Sequence, residues 1–189
     1  VIGPVCAALL RLIGWRSIYA TPPVAKAVIV VYPHTSNWDF PLGILFRYAT
    51  GMPIRWVGKD TLFRWPFAAM FRSLGGIPVN RRIHNGFVAQ MTDEFARQPC
   101  LYLAITPEGT RRMVPWLKSG FYRLALAAQV PLAIGFIDYS RREVGIAGYL
   151  KLSGNVDADL ASLAAAYAGK HGKYPAQEGP FIFKDNDSE

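Results

Sequence analysis

In Val28–Leu42, which reads VIVVYPHTSNWDFPL, an apolar run ends in a proline, and His34 and Asp39 follow, five residues apart. An imidazole beside a carboxylate is the core of a general base. Within one helix, five residues turn through about 500°, which leaves the two side chains about 140° apart. They can meet only if His34 lies in a loop and the helix begins near Ser36 or Asn37. Asp39 then sits in the first turn, where free N–H groups favour a carboxylate. From there it reaches back to one ring nitrogen, fixes the tautomer and makes the other nitrogen more basic. The same spacing also serves a plainer arrangement, in which Asp39 only caps the helix and His34 is a satisfied strand-end residue. No G-x-S-x-G elbow is present, Ser36 reads as a cap, and Ser73, Ser119 and Ser140 have no activating context. A base without a nucleophile suits direct attack by a substrate hydroxyl, with no covalent enzyme intermediate.

The elements that would position this pair alternate between short β-branched runs and longer helical patterns. VIVVY, PIRWVG, IPV, CLYLAIT and VPLAIGFIDY read as strands, and REVGIAGYLKL as one or two more. Helices are expected over Asn37–Thr50, closed by Gly51, and over TLFRWPFAAMFRSL, NGFVAQMTDEFARQ, KSGFYRLALAAQ and DADLASLAAAYAGKHG, the last starting on an aspartate cap. This alternation predicts an α/β domain: a mixed, largely parallel central sheet flanked by helices, plus an N-terminal apolar helix. Residues 1–20 are expected to be that helix, 21–183 the domain proper and 184–189 a solvated tail. His34, Arg81 and Glu108 each follow a strand. In α/β sheets, loops at strand carboxyl ends share a cleft, so the three belong together.

A hydrophobic fraction of 51% supports a sizeable core and excludes disorder for most of the chain. The formal charge of +8 favours anionic partners such as acidic lipid surfaces or phosphorylated substrates. No zinc-finger spacing or RNA-binding aromatic signature accompanies it, so nucleic acid is not expected. Cys6 and Cys100 imply buried thiols rather than a disulfide framework. His34, His84 and His171 lack ligand-spaced neighbours, so no metal site is expected. The segment VIGPVCAALLRLIGWRSIYA is strongly apolar but is interrupted by Arg11 and Arg16. It suits either a packing helix or one lying in a membrane interface, rather than a span.

Two further loops carry polar groups. ITPEGTRR places a proline, a carboxylate, a glycine and a hydroxyl directly after a strand. Glu108 and Arg111 there either pair with each other or hold a polar head group, for which an arginine fork suits phosphate oxygens. In GGIPVNRR, Arg81 projects after a short strand.

At these residues the sequence resembles the glycerolipid acyltransferase superfamily. The H-x4-D block is HTSNWD (His34, Asp39), the glycine-to-arginine block is GGIPVNR (Gly76, Arg81), and E-G-T-R stands intact in PEGTR (Glu108–Arg111). KSG (Lys118, Gly120) and VPLAIGF around Pro131 match the segments that follow, so the resemblance covers roughly residues 28–137. Ala133 or Gly135 stands where a further proline is common, Thr106 replaces a frequent aromatic residue, and Arg112 replaces a small one.

The resemblance implies transfer of a fatty acyl group from an acyl thioester, on coenzyme A or acyl carrier protein, to a hydroxyl of a lysophospholipid or related glycerol-phosphate acceptor. No bound cofactor is implied. His34 would be the general base, oriented by Asp39. Arg81, Glu108, Gly109 and Thr110 would shape the acceptor site, with Arg111 assisting and Lys118 added from the K-x-G segment. The N–H groups near Asn37 and Trp38 are candidates for holding the oxyanion. A short bacterial-type member of this kind would work in the cytoplasm, peripherally on an anionic membrane at its inner face. An acyl-thioester hydrolase and a non-catalytic peripheral lipid-binding module are the competing readings.

Overall fold

A computed structural model describes residues 2–79 and 86–184. β2 (Lys26–Val31) is the centre of a seven-stranded sheet, because its alternating residues bury on both faces. Val28 and Val30 enter one core and Ala27 and Ile29 the other. The strand order is β1 (Arg16–Tyr19), β7 (Glu143–Leu150), β6 (Leu132–Asp138), β2, β5 (Leu101–Ile105), β3 (Ile54–Lys59), β4 (Gly76–Val79). β6, β2, β5, β3 and β4 run parallel, while β7 is antiparallel to β6 and parallel to β1. The sheet is thus mixed and largely parallel.

Helices cover both faces, as a parallel sheet requires. α4 (Gly86–Arg97), α5 (Gly120–Ala127) and α6 (Val156–Tyr167) pack on one side, where Met91, Phe95, Phe121, Leu124 and Leu163 are buried. α1 (Ile2–Leu12) and α2 (Asp39–Thr50) pack on the other through Leu10, Leu42 and Phe46. The short α3 (Ala68–Ser73) follows a 3-10 turn over Asp60–Phe63. Residues 171–183 lie across the sheet end. There the Gly172 N–H donates to Glu178 (2.7 Å), the Tyr174 N–H to Thr35 Oγ1 (3.1 Å) and the Leu117 N–H to the Ile182 carbonyl (2.7 Å).

Several local expectations are corrected. The N-terminal helix stops at Leu12 rather than running to residue 20. Gly14 turns the chain, and Arg16–Tyr19 pairs with β7 as a strand. The helix expected over Asn37–Thr50 starts at Asp39, and Gly51 closes it in the left-handed conformation. The pattern TLFRWPFAAMFRSL is not one helix. It breaks between Phe63 and Ala68, around Pro66, which cannot donate a backbone hydrogen bond. REVGIAGYLKL forms a single strand. α6 is capped by Asn155, whose Oδ1 accepts from the Ala158 N–H (3.1 Å), rather than by an aspartate. Cys6 is buried, but Cys100 is exposed.

The β1–β7 pairing depends on Gly145, because a Cβ there would stand 1.9 Å from the Ile18 carbonyl oxygen. At Gly148, on the same strand, the space is open. Gly145→Ala should therefore cost at least about 1–3 kcal/mol in urea unfolding, whereas Gly148→Ala should leave the midpoint unchanged within error.

Candidate active site

Five parallel strands deliver their carboxyl ends to one edge of the sheet, and the site forms there. β2 leads into Tyr32-Pro33-His34, and the neighbouring β5 leads into Thr106–Thr110. Because the two strands are parallel and adjacent, their exits lie side by side. The Glu108 Oε1 accepts the backbone N–H of His34 (2.8 Å), tying the two loops together.

Asp39, the first residue of α2, is almost wholly buried. His34 Nδ1 lies 2.8 Å from its Oδ2, which also accepts the Ser36 N–H (3.1 Å). The Tyr139 hydroxyl donates to Oδ1 (2.8 Å) from the end of β6. Ser36 Oγ in turn accepts the Trp38 N–H (3.2 Å). Asp39 therefore bonds the turn that leads into α2 and is also the partner of the imidazole, while the helix start itself has no side-chain cap. With the proton on Nδ1 donated to the carboxylate, the lone pair remains on Nε2.

The His34 ring lines a cavity of about 630 Å³. Its walls are mainly apolar, with Phe40 and Ile44 from α2, Trp56 from β3, Phe71 from α3 and Ile105 from β5. A second cavity of about 370 Å³ is polar. Thr35, Trp38, Arg111, Arg112, Tyr174 and Gln177 are among its lining residues, and no carboxylate is. Asn37, Thr110 and Arg111 border both spaces.

The expected site residues fall into three groups. His34, Asp39, Asn37, Gly109, Thr110 and Arg111 are brought together around the cavities. Trp38 borders only the polar one, and its N–H is spent on Ser36. Glu108 lines neither cavity. It lies beneath the His34 loop and forms no ion pair with Arg111 among the described residues; its Oε2 is buried without a partner. Lys118 also lines neither cavity. Its ammonium packs against Gly109, where a Cβ would come within 3.1 Å of Nζ, and its N–H donates to the Pro107 carbonyl (3.0 Å). Gly109 has φ +64°, a conformation that disfavours side chains, and it keeps this turn tight. Arg81 lies outside the described residues.

Sequence reasoning missed Tyr139. Its signal was positional: it directly follows a strand, at the same sheet edge as His34. Burial and its bond to Asp39 raise the Tyr139 hydroxyl well above the usual tyrosine range, so it stays a donor. Trp15 meets the same ring edge-on at 5.0 Å.

The Acyltransferase family model matches residues 17–133, well over half of the sequence, and the chain belongs to that family. This agrees with the glycerolipid acyltransferase resemblance carried by H-x4-D and E-G-T-R. No curated protein matches the sequence. The crystal structure of the 1-acyl-sn-glycerophosphate (LPA) acyltransferase PlsC from Thermotoga maritima aligns with a TM-score of 0.45 at 15% identity, over 70% of this chain and 54% of that one. This chain thus spans about half the length of that protein. Among the described residues, no cluster of His, Cys, Asp and Glu is placed to hold a metal ion.

Burial pushes the Glu108 carboxyl up to about 8 from an ordinary value of 4.5, opposed by the backbone N–H groups it accepts. The folded protein therefore holds a proton on Glu108 that the unfolded chain releases at lower pH. Between those two values the native state binds more protons, so stability falls as pH rises through the window. Urea midpoints should decline from about pH 5 to about pH 8 in the wild type. In Glu108→Gln that decline should be reduced or absent.

Proposed function

We propose that the protein moves a fatty acyl group from an acyl thioester, on coenzyme A or acyl carrier protein, to a hydroxyl of a lysophospholipid or related glycerol-phosphate acceptor. The observation that carries this reading is the Asp39-held imidazole at the wall of a largely apolar cavity, which shares Asn37, Thr110 and Arg111 with an arginine-lined polar one. An acyl chain fits the first environment, and an anionic part of a substrate fits the second. Family membership supports the same class of chemistry.

In the proposed reaction, His34 Nε2 removes the proton of the acceptor hydroxyl as its oxygen attacks the thioester carbonyl carbon. The carbon–sulfur bond then breaks, and the imidazolium returns the proton to the leaving thiolate. Asp39 stabilises the transient imidazolium, and Tyr139 helps hold that carboxylate in place. Of the two candidates the oxyanion is assigned to the Asn37 N–H, a choice supported by Asn37 bordering the cavity of His34 and by the Trp38 N–H being taken up by Ser36 Oγ. Arg81 and Arg111 are assigned to the acceptor head group. Glu108 and Lys118 support it indirectly, by holding the His34 loop and the Gly109 turn.

The donor and acceptor are amphiphiles, and the surface suits their membrane source. Leu62, Trp65, Phe67 and Met70 are exposed, Trp65 by 92%, and Arg64 and Arg72 are exposed among them. Trp and Arg together favour an anionic lipid interface. Leu62 and neighbouring Lys59 also line the cavity of His34, so this patch is continuous with it. α1 presents a second apolar stripe through Ile2, Val5, Leu9 and Leu12. No helix among the described residues is long and apolar enough to cross a membrane. We place the protein peripherally on the cytoplasmic face of such a membrane.

An assay with an acyl thioester and lysolipid, read by mass spectrometry, tests the reaction. A transferase yields diacyl product, whereas a hydrolase releases free acid whether or not lysolipid is added. His34→Ala and Asp39→Asn should each lower turnover by roughly 10²–10⁴-fold, and Tyr139→Phe by only two- to ten-fold, roughly the worth of one hydrogen bond. Near-wild-type transfer by His34→Ala would reject the mechanism. In sedimentation with vesicles, Trp65→Ser/Phe67→Ser should weaken binding to phosphatidylglycerol-containing membranes; unchanged binding would remove this patch from the interface.

A further inference from the structure

Along α2, Phe40, Gly43, Ile44 and Arg47 succeed one another at helical spacings, and all four line the cavity of about 630 Å³ beside His34. Arg47 lies on the order of 12 Å along the helix axis from Asp39, at 1.5 Å per residue. Its Nε and Nη1 are buried and have no hydrogen-bond partner, and among the described residues no carboxylate pairs with it. The guanidinium lies 4.8 Å from the Tyr48 ring centroid and rests against the bare Cα of Gly75, where a Cβ would come within 3.4 Å of Cζ.

A guanidinium cannot shed its charge when it is buried. Arg47 is half-buried, with two of its three guanidinium nitrogens buried and unpaired; that is costly for a charge, and an alkyl chain pressed against it removes the remaining water as well. Ile54, Trp56 and Phe71, which line the same cavity, supply no acceptor side chain, and the carboxylate of that lining, Asp39, lies eight residues back along α2 and is taken up by His34, Ser36 and Tyr139. What satisfies Arg47 is a ligand that is apolar along its length and carries oxygen at its far end.

We infer that the acyl chain accepted by this cavity is of medium length and bears a terminal carboxylate or hydroxyl, which Arg47 binds. This rests on the reading of the cavity as the acyl site. Arg47 thereby becomes a specificity residue: it penalises plain chains long enough to reach it and favours chains oxidised at that depth.

Calorimetric titration of the full chain with decanoyl ethanolamide and its ω-hydroxy and ω-carboxy analogues tests this without turnover, since none of the three is a thioester. The ω-carboxy compound should bind wild type roughly ten- to hundred-fold more tightly than the plain chain, with the ω-hydroxy compound between them. Arg47→Leu should abolish that order and bind the plain chain more tightly, whereas Arg47→Lys should keep a reduced preference for the carboxylate. If Arg47→Leu does not fold, the wild-type order decides alone. Equal affinities, tighter binding of the plain chain, or no binding of any of the three would overturn the inference. Tail preference without acyl transfer to any lysolipid would reject the proposed reaction and leave the tail site standing; transfer without tail preference would do the reverse.

Discussion

A buried carboxylate at the start of α2 organises this end of the molecule. Taking an ionised group out of water is costly unless hydrogen bonds replace the solvent, and Asp39 receives three, from His34, Ser36 and Tyr139. Each donor comes from a different piece of chain: the exit of β2, the turn before α2 and the end of β6. Satisfying one charge therefore fixes the imidazole, the helix start and the sheet edge relative to one another. Because α2 begins there, its inner face is also fixed as a wall of the adjoining cavity.

The parallel sheet makes this economical. β2 and β5 exit side by side, so Glu108 can take the His34 backbone N–H and lock the loop from beneath. The carboxylate of the E-G-T-R segment is in this way a structural partner of the His34 loop. Its neighbours Gly109, Thr110 and Arg111 face the cavities instead. A single tight turn after β5 thus divides its residues between support of the His34 loop and lining of the cavities, and the strap over residues 171–183 closes the polar side through Tyr174 and Gln177.

Much of this was legible in the residues themselves. The impossibility of a His34–Asp39 contact inside one helix forced the loop-then-helix reading, and the structure places the helix start at Asp39. The alternation of β-branched runs with helical patterns conveyed the layered architecture. The failures were local and had physical causes. Arg16–Tyr19 carries no strong strand pattern of its own and becomes a strand only because β7 offers an edge to it. Pro66 lies inside a convincing apolar periodicity yet interrupts it, because periodicity records the demand for burial and not the availability of backbone donors.

By itself, the sequence determined which functional groups are at hand: an imidazole, a carboxylate five residues on, a turn after a strand and arginines, in an order that an α/β sheet can gather. Periodicity and spacing are properties of neighbouring residues, and the chain order states them directly. The tertiary structure alone decided which of those groups share a space. The Tyr139 hydroxyl reaches Asp39 across 100 positions of sequence, and Glu108 turns inward to a backbone N–H 74 residues away. Arg47 faces a mainly apolar chamber to which β3, α3 and β5, among other elements, contribute walls. Those relations depend on which strands lie adjacent and how helices lean on them, and strand order is set by the burial of the whole chain rather than by any segment of it.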